Sequence, residues 1–133
     1  MKLICVIDDD KAHRKVLEYT LTSQNYNVLA FESGSEFLQH SFTENPFAVI
    51  LDHHLGETKT GFEYIKDIRK KIADVPIVYM TSETDDDLIK KIKASKVSGY
   101  IAKDPASLVR LRTLLDEISV KPKASWLKKI FQN

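Results

Sequence analysis

The sequence predicts an α/β domain built on a doubly wound, open parallel sheet. Three observations support this fold class. Five short apolar runs recur along the chain. Each run is followed by a longer segment with apolar residues at helical spacing. The runs themselves lack the alternation of polar and apolar residues that is typical of half-exposed strands. The 133 residues fit a single domain, and contents of 43% apolar and 29% charged residues are ordinary for a globular protein.

The predicted strands are continuous apolar segments of four or five residues. Most are rich in β-branched residues, as expected for parallel strands that helices cover on both faces. In chain order they are Leu3–Ile7, Val28–Phe31, Phe47–Leu51, Ile77–Met80 and Gly99–Ala102.

The predicted helices follow the strands, over residues 11–24, 34–43, 61–73, 85–96 and 105–119. The last has the clearest apolar stripe, which consists of Leu108, Leu111, Leu115 and Ile118. Asp104 and Pro105 predict an N-cap and a first-turn proline for this helix, and Thr84, before three aspartates, predicts the start of the fourth. Five such units with right-handed crossovers give an open sheet with helices on both faces.

Composition and charge exclude several classes of protein. The 20 Lys and Arg against 19 Asp and Glu give a formal charge of +1, which argues against a strongly basic nucleic-acid-binding protein. The four glycines match neither a dinucleotide-binding fingerprint nor a P-loop. No apolar stretch approaches the roughly 18 residues of a membrane span, and the acids at positions 8–10 come too early for a signal peptide. With one cysteine, Cys5, and therefore no internal disulfide, a cytoplasmic location is expected.

Charged and hydroxyl side chains follow the predicted strands, at the edge where ligands bind in sheets of this kind. Asp8 and Asp9 follow the first strand, Asp52 the third, Thr81 the fourth and Lys103 the fifth. In the flavodoxin-like strand order the first and third strands are neighbours, so the three carboxylates are expected to meet. Repelling carboxylates take up protons or hold a cation, and hard oxygen ligands favour Mg²⁺. A lysine, a hydroxyl and a carboxylate nucleophile around such an ion suit phosphoryl transfer.

Four motifs, in order and suitably spaced, make the chain resemble the receiver domain of two-component response regulators. They are VIDDD at 6–10, VILDHHL at 49–55, YMTSE at 79–83 and GYIAKDP at 99–105, and the resemblance covers about residues 1–119. It implies a flavodoxin-like fold of five βα units. It also implies that the domain takes a phosphoryl group from a phosphohistidine and catalyses the loss of that group, with no other enzymatic activity.

The resemblance implies a metal site around the phosphoacceptor. Asp52 matches the phosphoacceptor aspartate, and Asp8 and Asp9 match the acidic pair that binds Mg²⁺ together with it. His54, two residues after the acceptor, matches the position whose backbone carbonyl completes the ligand set.

The resemblance also implies a switch and its partners. Thr81 matches the switch hydroxyl that binds the phosphoryl group, Lys103 the lysine that pairs with it, and Tyr100 the switch aromatic that turns inward once the threonine moves. The expected donor is a sensor histidine kinase or a histidine phosphotransfer protein. The output is expected through the face of the fourth helix, fifth strand and fifth helix, which a downstream protein or a phosphorylation-dependent homodimer would use.

Three positions depart from the family pattern. Gly56 stands where the family usually has proline, and residues 56–60 form a loop about one residue longer than usual before Gly61, which predicts a looser geometry. Asp104 separates Lys103 from Pro105, whereas the family often has proline directly after the lysine. We expect a trans peptide between Lys103 and Asp104, because a cis bond before a non-proline residue costs about 3 kcal/mol.

Other interpretations stay open at this point. The chain would be a pseudo-receiver if the site no longer cycled phosphate. A phosphohydrolase of haloacid-dehalogenase type is disfavoured because Ala12 and the absence of a late GDxxxD do not fit that pattern, and a DNA-binding regulator has too little chain left for a second domain. His53 and His54 beside carboxylates suggest a zinc or nickel site, although loop imidazoles, with His54 tuning water access to the phosphate, are the simpler interpretation.

The last residues, 120–133, differ from the domain before them. Residues 121–133 carry four lysines and no acid, whereas residues 1–120 have three more acidic than basic residues. Apolar residues at helical spacing lie beside the lysines, namely Trp126, Leu127, Ile130 and Phe131. Such a segment can lie on an anionic membrane or dock on a partner. The favoured interpretation is a marginally helical segment that either packs against its own domain or frays. The expected organisation is a stand-alone receiver with this short tail.

Overall fold

The structure, a computed structural model, describes residues 1–120, and the predicted basic tail lies outside this range. Five strands and five helices alternate along the chain. The strands are β1 (Leu3–Ile7), β2 (Asn27–Phe31), β3 (Ala48–Asp52), β4 (Ile77–Thr81) and β5 (Gly99–Ala102). The helices are α1 (Lys11–Ser23), α2 (Gly34–Gln39), α3 (Gly61–Lys71), α4 (Asp86–Ala94) and α5 (Ser107–Val120). The predicted alternation is confirmed, with shifts of a few residues at several ends.

The strands form one parallel sheet in the order β2-β1-β3-β4-β5, the flavodoxin-like order expected from the sequence. The chain moves outward from β1 to β2 and then crosses back to β3, so β1 and β3 are adjacent. Their register places Ile7 beside Leu51, and Asp8 and Asp52 are the next residues along each strand. The carboxyl ends of these two strands therefore form the switch point of the sheet, where ligands bind in this architecture.

Alternate residues of each central strand enter two separate cores. On one face Cys5, Ile7, Val49 and Leu51 pack with residues of α2, α3 and α4. On the other face Ile4, Val6, Ala48 and Ile50 pack with Leu17 and Leu21 of α1 and with Leu111, Leu115 and Ile118 of α5. Because both faces are covered, both sets of alternating residues must be apolar, which explains the continuous apolar runs in the sequence.

The edge strand β2 departs from this pattern. Its residues alternate between exposed and partly buried positions up to Phe31, and Leu29 remains 37% exposed. The apolar sequence of β2 does not reveal that it pairs with a neighbouring strand along one edge only. Nor does it reveal that helices cover its faces incompletely. Val16, an apolar residue of α1, is likewise 46% exposed.

The predicted helix starts need two corrections. The N-cap of α4 is Asp85 rather than Thr84, because the Asp85 side chain accepts hydrogen bonds from the backbone N–H groups of Asp87 and Leu88. Helix α5 begins at Ser107 rather than Pro105. A separate turn precedes it, in which Asp104 accepts from the N–H groups of Ala106 and Ser107. No helix among residues 1–120 combines the length and the apolar character needed to cross a bilayer.

Candidate functional site

Three carboxylates meet at the carboxyl ends of β1 and β3, as the sequence predicts. Carboxylate oxygens of Asp8, Asp9 and Asp52 lie within 4.8 Å of one another. Asp8 is 2% and Asp52 5% exposed, whereas Asp9 is exposed to solvent. The register of β1 and β3 sets this arrangement, because each strand delivers its acid at the same level of the sheet. We call these three residues, together with Lys103, the acidic pocket.

Lys103 reaches into the acidic pocket from the end of β5. Its Nζ lies 3.0 Å from Oδ1 of Asp52 and 3.4 Å from Oδ2 of Asp8. Its backbone N–H donates to the carbonyl of Thr81, which fixes the chain where β5 ends. A lysine that ends a buried strand requires a nearby anion to offset its desolvation, and here it has two.

Asp8 and Asp52 differ in how readily they ionise. Burial acts to raise the pKa of the Asp8 carboxyl, but hydrogen bonds from His13 and from the Asp10 backbone, together with the charge of Lys103, outweigh it and lower that pKa. Burial and the nearby charge of Asp8 raise the pKa of Asp52, and Lys103 offsets them only in part. The pocket therefore holds Asp8 as a carboxylate and penalises the negative charge of Asp52.

Two residues of α1 that the sequence reasoning missed also contact Asp8. His13 Nδ1 makes a hydrogen bond to Oδ2 of Asp8, and the guanidinium of Arg14 donates to the Asp8 carbonyl at 2.8 Å. Asp10 acts as the N-cap of α1, which turns the first helical turn back over the end of β1. The position of His13 three residues after a helix-capping aspartate is the signal that could have identified it.

The predicted switch residues Thr81 and Tyr100 both contact residue 83. Thr81 is buried at the end of β4, and its Oγ1 accepts a hydrogen bond from the backbone N–H of Glu83 at 3.0 Å. The hydroxyl of Tyr100, a partly buried residue of β5, lies 3.5 Å from the carbonyl oxygen of Glu83. The segment after β4 thus links the two residues, whose switching role stays a prediction.

A second group of polar side chains lies beside the acidic pocket. His54 Nε2 is 2.7 Å from Oε1 of Glu83, and the ring of His53 packs edge-on against that of His54 at 4.9 Å between centroids. His53 Nδ1 lies 2.6 Å from the hydroxyl of Tyr79, a buried residue of β4. Burial, followed by the charge of His54, lowers the pKa of His53. We call His53, His54 and Glu83 the histidine cluster; Tyr79 and Glu83 were not singled out from the sequence.

The longer loop after β3 is anchored rather than loose. The carboxylate of Glu57 accepts hydrogen bonds from the backbone N–H of Gly34 at 2.8 Å, from the Ser35 hydroxyl at 3.2 Å and from the Tyr64 hydroxyl at 2.6 Å. These contacts attach the loop to the start of α2 and to α3. The predicted looseness is therefore wrong, because a single acidic side chain holds the extra length.

Two glycines border this loop for different reasons. Gly56 has a φ of +61°, which proline cannot adopt, so the proline usual in the family does not fit this loop conformation. Gly61 begins α3 directly against β3, where a Cβ atom would lie 2.0 Å from the backbone oxygen of Asp52. No cis peptide bond occurs within residues 1–120, in agreement with the trans bond expected between Lys103 and Asp104.

The acidic pocket fits a hard divalent cation. Its three carboxylates contribute three negative charges, Lys103 offsets one of them, and the oxygens are close enough to share one ion. Oxygen ligands and a solvent-exposed Asp9 match the preferences of Mg²⁺, which keeps several water molecules when it binds to proteins. Asp8, Asp9 and Asp52 are the side chains that would hold it.

Two curated relatives of the chain are named as transcriptional regulators. The chain is 31% identical over 85 residues to the alkaline phosphatase synthesis transcriptional regulatory protein PhoP of Bacillus subtilis, covering 64% of this chain and 35% of that protein. It is 32% identical over 119 residues to the probable transcriptional regulator ycf27 of Porphyridium aerugineum, covering 86% of this chain and 48% of that protein. The chain thus spans about a third to a half of these relatives.

Solved structures of response regulators share the fold. A two-component response regulator from Clostridium difficile has a TM-score of 0.80 at 25% identity, over 90% of this chain and 96% of that one. The response regulator TrrA from Thermotoga maritima, in complex with Mg²⁺ and BeF, has a TM-score of 0.74 at 28% identity, over 89% and 99%. A family model described as the response regulator receiver domain matches residues 4–116. With a parallel five-stranded sheet and an acidic pocket at its switch point, the chain belongs to the response regulator receiver domain family of two-component signalling.

Proposed function

We propose that the chain is a phosphoacceptor that takes a phosphoryl group from a phosphohistidine onto Asp52. A carboxylate oxygen of Asp52 attacks the phosphorus, an oxygen–phosphorus bond forms, and the nitrogen–phosphorus bond breaks with its electron pair returning to the donor imidazole. The domain would catalyse only this transfer and the later hydrolysis of its own acyl phosphate. The donor would be a sensor histidine kinase or a histidine phosphotransfer protein in the cytoplasm.

The observation that carries this proposal is the position of the Lys103 ammonium between two buried carboxylates. Nζ lies 3.0 Å from Asp52, and the backbone N–H of Lys103 donates to the Thr81 carbonyl at the neighbouring end of β4. From there the ammonium can hold the oxygens of a phosphoryl group on Asp52 as negative charge develops on them. A pseudo-receiver would not need this cation beside a buried nucleophile.

Mg²⁺ bound by Asp8, Asp9, Asp52 and the His54 carbonyl would neutralise the charge of the incoming phosphoryl group. Asp8 is already held as a carboxylate by His13 and by the Asp10 backbone N–H. It is therefore ready to bind a cation without first losing a proton. Without the ion, burial and the charge of Asp8 destabilise the carboxylate form of Asp52. A bound cation would therefore stabilise that form most strongly at Asp52.

The signal would pass through Thr81 and Tyr100 to the surface. Movement of the Thr81 hydroxyl toward the phosphoryl group would break its hydrogen bond with the N–H of Glu83. The same residue lies against the Tyr100 hydroxyl, so the rearrangement would reach the face of α4, β5 and α5. A downstream protein or a second copy of the chain would read this face.

The test is phosphorylation by acetyl phosphate and Mg²⁺, followed by intact mass spectrometry. The wild-type chain should gain one phosphoryl group and lose it again with time, whereas Asp52→Asn should gain none. Asp116→Asn, on the exposed side of α5, is the matched control and should behave as the wild type. An Asp52→Asn variant that still takes up phosphate would show that the acceptor is wrong.

A second measurement addresses the switch. Beryllofluoride with Mg²⁺ mimics the phosphoryl group, and it should shift the backbone amide NMR signals of residues 81–83 and 100–103. If the wild-type chain shows no Mg²⁺-dependent change at these residues, the domain does not switch and acts as a static interaction module.

A further inference from the structure

The histidine cluster has the chemistry of a transition-metal site. His53, His54 and Glu83 each offer one ligand atom, and these three atoms lie within 4.8 Å of one another. Two imidazole nitrogens and one carboxylate oxygen are a ligand set that Zn²⁺ and neighbouring first-row divalent ions use in proteins. We propose that this cluster binds one such ion in a site separate from the acidic pocket. Zn²⁺ is the ion used to test the proposal.

Tyr79 holds the ring of His53, one of the three ligands, in a fixed position. The Nδ1 atom of His53 lies 2.6 Å from the Tyr79 hydroxyl, and both side chains are buried. This contact engages one ring nitrogen, so the metal would bind through Nε2, and Nδ1 would then carry the proton and donate it to the phenol oxygen. Metal-binding histidines in proteins are typically oriented by a hydrogen bond of this kind.

The other two ligands are accessible and already adjacent. The side chain of His54 is 59% exposed and that of Glu83 is 29% exposed, so an ion can enter from solvent without any unfolding. Their ligand atoms are 2.7 Å apart. Metal–ligand bonds of about 2.0–2.2 Å require them to separate by roughly 1 Å or less, which exposed side chains can accommodate. Three protein ligands leave a further position for water.

The two sites of this edge select different ions. The acidic pocket offers carboxylate oxygens beside the Lys103 ammonium, which suits Mg²⁺ and opposes a softer cation that prefers nitrogen. The histidine cluster offers two imidazoles. His54 serves both proposals through different atoms, because its ring belongs to the cluster and only its backbone carbonyl is assigned to the Mg²⁺ site. Residues 121–133 contain no His, Cys, Asp or Glu that would compete.

The direct test is a titration of the full-length chain with Zn²⁺ by calorimetry, in excess Mg²⁺ to occupy the acidic pocket. Co²⁺ absorption spectra report independently on nitrogen ligation. We expect one equivalent of Zn²⁺ to bind, with an affinity that falls at least about tenfold in His54→Gln and in Glu83→Gln. Both positions are partly or fully exposed, so these variants should fold.

Tyr79→Phe and His40→Gln complete the design. Tyr79→Phe removes the hydroxyl that orients His53 and should weaken Zn²⁺ about tenfold. His40 lies at the end of α2 against Phe31 and Phe42, so His40→Gln should leave the affinity unchanged. The proposal is overturned if the wild type binds no Zn²⁺ in excess Mg²⁺, or if His40→Gln weakens binding as much as His54→Gln does. Because no phosphoryl transfer is involved, the result is independent of the phosphoacceptor test.

Discussion

The acidic pocket and the histidine cluster are neighbours in sequence and differ in nearly every physical respect. Asp52 ends β3 beside an ammonium group, whereas His53, the next residue, contacts a phenol on β4. The acidic pocket has two nearly fully buried carboxylates, while the histidine cluster includes the exposed ring of His54. Consecutive residues at a strand end point in different directions, so one short segment can supply two different ligand environments.

The largest expected effect comes from Gly61, which supports both groups. A Cβ at this position would lie 2.0 Å from the Asp52 carbonyl oxygen and 3.1 Å from the Tyr79 hydroxyl. We expect Gly61→Ala to lower the free energy of unfolding by about 3 kcal/mol and to weaken both Mg²⁺ and Zn²⁺ binding. Urea denaturation and the two titrations measure this. A variant with wild-type stability would mean that β3 and α3 separate easily.

Lys103 distinguishes the two groups, because it contacts only the acidic pocket. Lys103→Met keeps most of the length of the side chain and removes the charge beside Asp52 and Asp8. We expect the initial rate of phosphorylation by acetyl phosphate to fall about 100-fold, since the ammonium stabilises developing negative charge. The Zn²⁺ affinity should stay unchanged, and circular dichroism checks the fold. A rate within threefold of the wild type would contradict the role of Lys103.

Asp52→Asn should stabilise the metal-free protein. The pKa of Asp52 is raised in the folded state by burial and by Asp8, so its carboxylate costs stability above that pKa, and the cost disappears as the pH falls through it. The amide removes the charge, and we expect about 1–2 kcal/mol more stability at pH 7. The additional stability of Asp52→Asn over the wild type should become smaller at low pH. Mg²⁺ should reverse the order of the two proteins, because it stabilises the wild type more than the variant.

Thermal unfolding of wild type and Asp52→Asn, at pH 7 and at low pH, tests this prediction. Asp8→Asn is the matched comparison and should have the opposite sign. The pKa of Asp8 is lowered on folding, so its carboxylate contributes stability that is present above the unfolded pKa and lost as the pH falls through the folded value. Equal effects of the two variants would mean that the carboxylates are not distinguished.

The smallest expected effect is at Gly56, which touches only the exposed side of the acidic pocket. A side chain there would adopt a φ of +61° and place Cβ 3.0 Å from Oδ2 of Asp9. We expect Gly56→Ala to cost about 1 kcal/mol of stability and to weaken Mg²⁺ severalfold, with Zn²⁺ binding unchanged. A calorimetric Mg²⁺ titration measures the change; tighter Mg²⁺ binding would show that the glycine leaves Asp9 too mobile.

The fold and the acidic pocket were predictable because each depends on a strong local pattern. Apolar runs identify the strands, and acids placed directly after β1 and β3 meet once the strand order is known. The family motifs added the roles of switch residue and phosphoacceptor, which stay predictions. Helix starts were less certain, since Thr84 and Asp85 are both good N-caps, and the backbone geometry selected Asp85.

The contacts that the sequence did not predict are those between side chains from separate elements. His13 reaches Asp8 because the cap at Asp10 turns α1 over β1, and Tyr79 reaches His53 across two paired strands. The first contact could be inferred only from the position of His13 three residues after the capping Asp10, and no spacing along the chain indicates the second. The exposure of Leu29 likewise depends on which strand lies at the edge and how far helices cover it.

The β3–α3 loop is held at one end by the carboxylate of Glu57 and at the other by the close packing of Gly61. Because the Glu57 carboxylate fastens the β3–α3 loop to the first residues of α2, the additional loop length is absorbed outside the acidic pocket. The surface presented by this loop can therefore change in length and sequence, provided that Glu57 and the tight entry at Gly61 are kept. An engineer could graft new recognition segments between these two fixed points while the three carboxylates and Lys103 keep their arrangement.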